Sequence, residues 1–163
     1  MATSQSALYT LLTPSHPSFP EPLHHIPNPP KQLYARGNLD LLKTPCFALV
    51  GTRANTPSGK RNAIHFTRGL VSYGLTTVSG LAFGIDAIVH EVTLDHGGKT
   101  IAVLGCGIDR IYPSYHENLA HRILQEGGLI LSEYAPDTIT YPSNFAMRNR
   151  IISGISLGVL IIE

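Results

Sequence analysis

Phe47-Ala48-Leu49-Val50-Gly51-Thr52-Arg53 is the stretch on which the fold turns. With Cys46 ahead of it, the run is apolar at every position until a glycine halts it, just before a helix-length segment opens at Pro57. Continuous rather than alternating apolarity reads as a strand buried on both faces, as strands of parallel sheets are. Such a strand delivers its loop to the carboxyl edge of the sheet. There Gly51 lets backbone approach closely, the next helix start offers unpaired N–H groups, and Arg53 adds a forked cation. That combination suits an anion, phosphate first among them. A tight turn at Gly51 with Arg53 paired to a carboxylate is the equally weighted structural reading.

Downstream of this stretch, strand and helix alternate with short punctuation. Pro57 to Tyr73 places Ala63, Phe66, Leu70 and Val71 at helical spacing and stops at Gly74. Leu75–Ser79, Thr100–Leu104, Leu129–Leu131 and Val159–Ile162 read as further strands, and Gly84–His96, Pro113–Glu126 and Asn144–Leu157 as further helices. Strands separated by helices predict a three-layer, doubly wound, mainly parallel α/β sheet joined by right-handed crossovers. The fifth strand is followed only by Glu163, so an open C-terminal edge, as in a fragment, is expected.

Upstream, residues 1–45 differ in texture. Pro14, Pro17, Pro20, Pro22, Pro27, Pro29, Pro30 and Pro45 forbid long helices there. The expectation is an arm packed on a single domain over 46–163, with Leu33–Asn38 as a short edge strand and Leu39, Leu41 and Leu42 docked on the core.

Composition narrows the partners. The chain has 163 residues, 43% hydrophobic and 14% charged, with a formal net charge of +1. A polyanion site must therefore come from local clustering of cations. Cys46 and Cys106 lack metal-type spacing and read as buried thiols of a reducing, cytoplasmic compartment. No apolar stretch reaches the ~18 residues of a membrane span, and MATSQSALYTLL lacks the basic start of a secretory signal. No membrane partner is expected.

Ligands of doubly wound sheets bind beyond the carboxyl ends of the strands, so each loop there is a candidate wall. The first carries Gly51, Thr52 and Arg53. The second, SGLAFGID from Ser79 to Asp86, offers Gly80 and a helix start. The third, GCGIDRIYPS, offers Arg110, Tyr112 and Ser114. The fourth runs from Ser132 through Tyr134 and Tyr141 into a helix bearing Arg148, Asn149 and Arg150. Tyr112 beside phosphate contacts suits base stacking, at ~1 to 3 kcal/mol per base. Arg148 and Arg150, two apart on a helix, point in different directions, so one of them fits a structural pair.

Enzyme readings are weaker. GCGIDR matches only part of GxGxxG, and no acidic residue closes the next strand. Asp86 and His90 at i, i+4 have no third ligand in view, which favours a helix-surface pair or a satisfied core histidine over a metal site or base. Ser79-Gly80 and Ser153-Gly154 lack a nucleophile-elbow setting. No catalytic residue, cofactor or metal is expected.

In order and spacing, FPEPLHHIPNPPKQLYARGN, VGTR, SGLAFGIDAIVH, TIAVLGCGIDRIYP, LSEYAP and RNRIISGIS resemble the DNA-processing protein DprA (Smf) family over about residues 19–163. The resemblance implies an extended Rossmann-like fold that binds single-stranded DNA in natural transformation and helps load RecA, without catalysis. It places the leading phosphate contact on Arg53 within Gly51-Thr52-Arg53, and the RNR run on Arg148, Asn149 and Arg150. Ser114 stands where many members carry a basic residue, His116 at an asparagine position, Ala146 at a proline and Val89 at an alanine. Self-association and RecA contact are implied for full-length members, not for this chain alone. The competing expectation is a nucleotide-cleaving enzyme of the phosphoribohydrolase kind, whose PGGxGT helix start this chain lacks.

Overall fold

Among the described residues, seven strands form one sheet in the order β1-β2-β6-β5-β4-β3-β7. The structure, a computed structural model, describes residues 9–163. The first eight residues of the arm, and with them most of the MATSQSALYTLL start, lie outside the described residues. The strands are β1 Thr10–Leu12, β2 Leu33–Gly37, β3 Cys46–Gly51, β4 Thr76–Ser79, β5 Thr100–Leu104, β6 Leu129–Ser132 and β7 Val159–Ile162. The helices are α1 Pro57–Ser72, α2 Ile85–Asp95, α3 Glu117–Gln125 and α4 Pro142–Gly154. The α/β expectation holds, and its helix positions hold within a few residues. The fourth helix starts two residues earlier than expected, because Pro142 fits the first helical turn.

The all-apolar runs are buried on both faces. Ile101 and Val103 of β5 face one core with Ala48, Val78, Leu129 and Leu131, under Ile151 and Ile152 of α4. Ala102 and Leu104 face the opposite core with Ile130, under Ala87 and Leu94 of α2 and Leu119 and Ile123 of α3. A third cluster, Leu49, Ala63, Ile85, Val89 and Ile162, wedges α1 and α2 against β3 and β7. Three helices thus cover one face, and α4 covers the other.

The proline-rich segment is more integrated than an arm lying on a domain. Leu12, Phe19, Leu23, Leu33, Ala35 and Leu41 join the α4-side core. β2 pairs antiparallel with β6, Tyr34 opposite Ser132, and β1 covers the outer side of β2. Leu33–Gly37 is therefore the second strand in, not the edge. At the other end, among the described residues, β7 pairs only with β3, and Ile161 is 73% exposed.

Candidate functional site

β3, β4, β5 and β6 run parallel, so their outgoing loops share one edge. Hydrogen bonds tie these loops to one another. Ile85 N–H donates to the Thr52 carbonyl at 3.1 Å. Gly84 makes that approach possible: its φ is +77°, and a Cβ there would fall 2.2 Å from the Thr52 oxygen. Ser132 Oγ donates to the Cys106 carbonyl at 2.6 Å and Ile108 N–H to the Tyr134 carbonyl at 3.2 Å, joining the third and fourth loops. Arg148 joins the fourth to the second, donating through Nη1 to the Gly80 carbonyl at 2.8 Å and also to the Val103 carbonyl. The result is a groove of about 840 Å³ whose lining includes Gly51, Thr52, Arg53, Phe145, Arg148 and Asn149.

Arg53 is exposed on this rim, and among the described residues no carboxylate pairs with it. Its guanidinium lies 5.6 Å from the centroid of the Phe145 ring. Phe145 in turn meets Tyr112, half exposed, at a centroid distance of 5.3 Å. Arg53, Gly80, Phe83, Tyr112 and Phe145 frame a small cleft of about 40 Å³ beside the groove.

This loop edge coincides with a shared ancestry. The family model for DNA recombination-mediator protein A matches residues 10–163. The chain belongs to that family. It is 46% identical to protein Smf of Synechocystis over 93% of this chain and 39% of the relative. It is 43% identical to the DNA processing protein DprA of Streptococcus pneumoniae over 89% of this chain and 51% of the relative. It thus spans about half the length of the curated relatives it matches, or less. Among solved structures, DprA from S. pneumoniae superposes with a TM-score of 0.89 at 40% identity, covering 95% of this chain and 54% of that one. The Helicobacter pylori protein, reported for its single-stranded DNA binding mode, gives 0.83 at 37% identity, covering 94% and 68%.

Within this member of the DprA/Smf family, the four loops come together, but their cations do different jobs. Arg148, only 4% exposed, is spent on backbone carbonyls and on Asn149, whose Oδ1 accepts from its Nε at 3.1 Å. Arg150 forms a bidentate pair with Glu133 at 2.6 and 2.9 Å and donates to the Asn28 carbonyl at 2.9 Å, pinning the proline-rich segment to α4. Arg110 sits between Asp109 and Asp137, at 3.9 and 3.6 Å, in a corner that two carboxylates leave negative. The Gly80 amide, assigned to phosphate from sequence, donates instead to Asp86 Oδ2 at 3.1 Å. A Cβ on Gly80 would fall 2.7 Å from the Arg148 guanidinium, so that glycine makes room for a structural cation. Ser114 and Asn149 remain exposed.

The start of α1 also departs from expectation. Glu163 accepts from the Thr56 amide at 2.8 Å and from the Thr56 hydroxyl, while Thr56 Oγ1 accepts from Gly59 N–H at 3.1 Å. These bonds hold the Glu163 carboxyl below the usual range. Glu163, the residue after β7, therefore already takes the Thr56 amide and hydroxyl at this helix start. Sequence gave no signal for this, since the partners lie 107 residues apart. Phe145, which carried no charge or motif signal beyond helical spacing, was missed in the same way.

Beneath the loops, Asp86 and His90 are buried on α2 rather than forming a surface pair. Burial pushes the Asp86 carboxyl up, opposed by the Arg148 charge and by backbone hydrogen bonds. His90 Nδ1 meets Thr100 Oγ1 at 2.7 Å and its Nε2 has no partner. His116 is turned inward, its Nδ1 2.8 Å from the Leu81 carbonyl. Among the described residues, no group of three or more His, Cys, Asp and Glu gathers as a metal site, and no helix is long and apolar enough to cross a membrane.

If Arg150 is structural, Arg150→Ala loses the bidentate pair and the tie to Asn28. It should lower stability by about 1–2 kcal/mol in urea unfolding and leave oligonucleotide affinity unchanged.

Proposed function

We propose that the chain binds single-stranded DNA along the carboxyl edge of its sheet, with a phosphate at Arg53 and a base stacked across Tyr112 and Phe145. The observation that carries this is Arg53 itself: exposed on the groove, with no carboxylate partner, and set over an aromatic ring. An unpaired guanidinium beside aromatic faces suits a sugar-phosphate chain with splayed bases. The cleft of about 40 Å³ is too small to enclose a base, so the base lies over it. The single-stranded DNA binding reported for the H. pylori relative supports the same substrate class.

The chain acts here as a binding module, not an enzyme, in DNA processing during transformation. Its two buried, unpaired thiols suit a cytoplasmic setting. RecA loading and pairing with a second copy follow from the family resemblance alone, and no surface is assigned to them.

The test is Arg53→Ala with a labelled oligo-dT of about six nucleotides. Loss of one charge-assisted contact should weaken binding about tenfold or more and remove about 0.7 from the slope of log affinity against log salt. The matching duplex should bind more weakly than the single strand. Undiminished binding by the variant overturns the assignment, and release of free base from a nucleoside monophosphate transfers it to the nucleotide-cleaving class.

A further inference from the structure

The outer face of α1 carries Lys60, Arg61, His65 and Arg68, all exposed, and α1 holds no acidic residue at all. Arg61, His65 and Arg68 stand at i, i+4 and i+7, on one stripe. Arg61 and Arg68 are thus two turns apart, about 10 Å along the helix. With Ile64 and His65 they line a shallow depression of about 270 Å³.

Elsewhere on the surface most cations are spent, Lys31 and Arg53 being exposed without a carboxylate. Among the described residues, Lys43, Arg110, Arg122 and Arg150 each meet a carboxylate, and Lys99 meets the Glu126 carbonyl. Lys60, Arg61 and Arg68 meet none. In a chain of net charge +1, three unpaired cations on one helix face are a local concentration, and they give α1 no pairing benefit.

Position supplies the second argument. α1 leaves the loop that presents Arg53, so its first turn begins at the carboxyl edge and its cationic face runs on from there. By their order along α1, a strand passing from Arg53 to the α1 side of the sheet would meet Lys60 and Arg61 before Arg68.

We propose that this face is a second, sequence-independent docking surface for the sugar-phosphate backbone of the same single strand, extending the path beyond the loops. The proposal rests on the single-strand reading above. The α1 face adds affinity only when the strand is long enough to reach it.

The experiment compares oligo-dT of about six and about twenty nucleotides on wild type and on the triple variant Lys60→Gln, Arg61→Gln, Arg68→Gln. All three side chains are exposed, and circular dichroism and urea unfolding check that the fold is kept. Wild type should gain affinity and about 2 units of salt slope with the longer strand, at roughly 0.7 per cation. The triple variant should bind the short strand as wild type does and lose that gain, becoming about tenfold or more weaker on the long strand at low salt.

A triple variant that keeps the full gain overturns the proposal. So does one that loses equally on both lengths, or one whose loss is larger on duplex than on single strand, which would make α1 a duplex-binding face. Arg53→Ala reports separately: if it leaves the short strand bound normally, the groove assignment falls, while the α1 face still stands or falls on the length dependence alone.

Discussion

Arg148→Met should cost about 3–5 kcal/mol of unfolding free energy, seen as a lower urea midpoint at unchanged m-value. The side chain is 4% exposed and its Nη1 satisfies the Gly80 and Val103 carbonyls, both on buried residues. Its charge also lies near Asp86, whose carboxyl accepts from the Gly80 amide on the other side of the same turn. Removing the cation leaves a buried carboxylate uncompensated, the costly half of a broken buried pair. Asp86→Asn in the Met background should therefore recover part of the loss, so that the double variant costs less than its two single changes together. Arg53→Ala, on an exposed side chain, should weaken oligonucleotide binding with stability nearly intact. If Arg148→Met instead kept its stability and lost binding as Arg53→Ala does, Arg148 would be a direct phosphate ligand and the structural assignment would fail.

Much of this contrast was hidden from sequence for an identifiable reason. The strands were legible because β3, β5 and β6 carry near-continuous apolar runs, and burial on both faces calls for that. The convergence of four loops followed from parallel topology. What sequence could not supply was the state of each cation, because pairing depends on contacts far apart in the chain. Arg150 finds Glu133 across 17 positions and Arg148 finds Gly80 across 68. As residues in an RNR run they look alike; in space one clamps the proline-rich segment and the other fills a hole that Gly80 leaves. The same distance hid the pairing of β2 with β6 and the Glu163 cap on α1. The α1 stripe was legible, since residues 57–72 contain no acid, but a single helix face reads by default as solvated. The pairing of Lys43, Arg110, Arg122 and Arg150 with carboxylates, and the gathering of three unpaired cations on one helix, set it apart.

Acidification should unload the same buried layer through His90. Its ring is fully buried between α2 and β5, and its pKa is lowered to about 3 by desolvation first and then by the charges of His116 and Arg148. In the unfolded chain the group titrates near its ordinary 6.5. Between those values the unfolded state binds the proton and the folded state does not, so stability is full above about 6.5 and declines as the pH falls toward 3. At about 1.4 kcal/mol per unit, the span amounts to an upper figure of about 5 kcal/mol. Asp86 works in the opposite sense, because a raised carboxyl gains protons on folding; the net acid loss is therefore smaller than the His90 contribution. His90→Gln separates the two. At pH 7.5 the variant should be less stable than wild type, having disturbed the 2.7 Å contact with Thr100. By about pH 4 the gap should close or reverse, because the variant has no imidazole to charge on unfolding. Thermal midpoints of both proteins across this range decide the matter: curves that stay parallel would mean that His90 bears its proton in the folded protein, and that the layer beneath the Gly80 turn is wetter than its burial indicates.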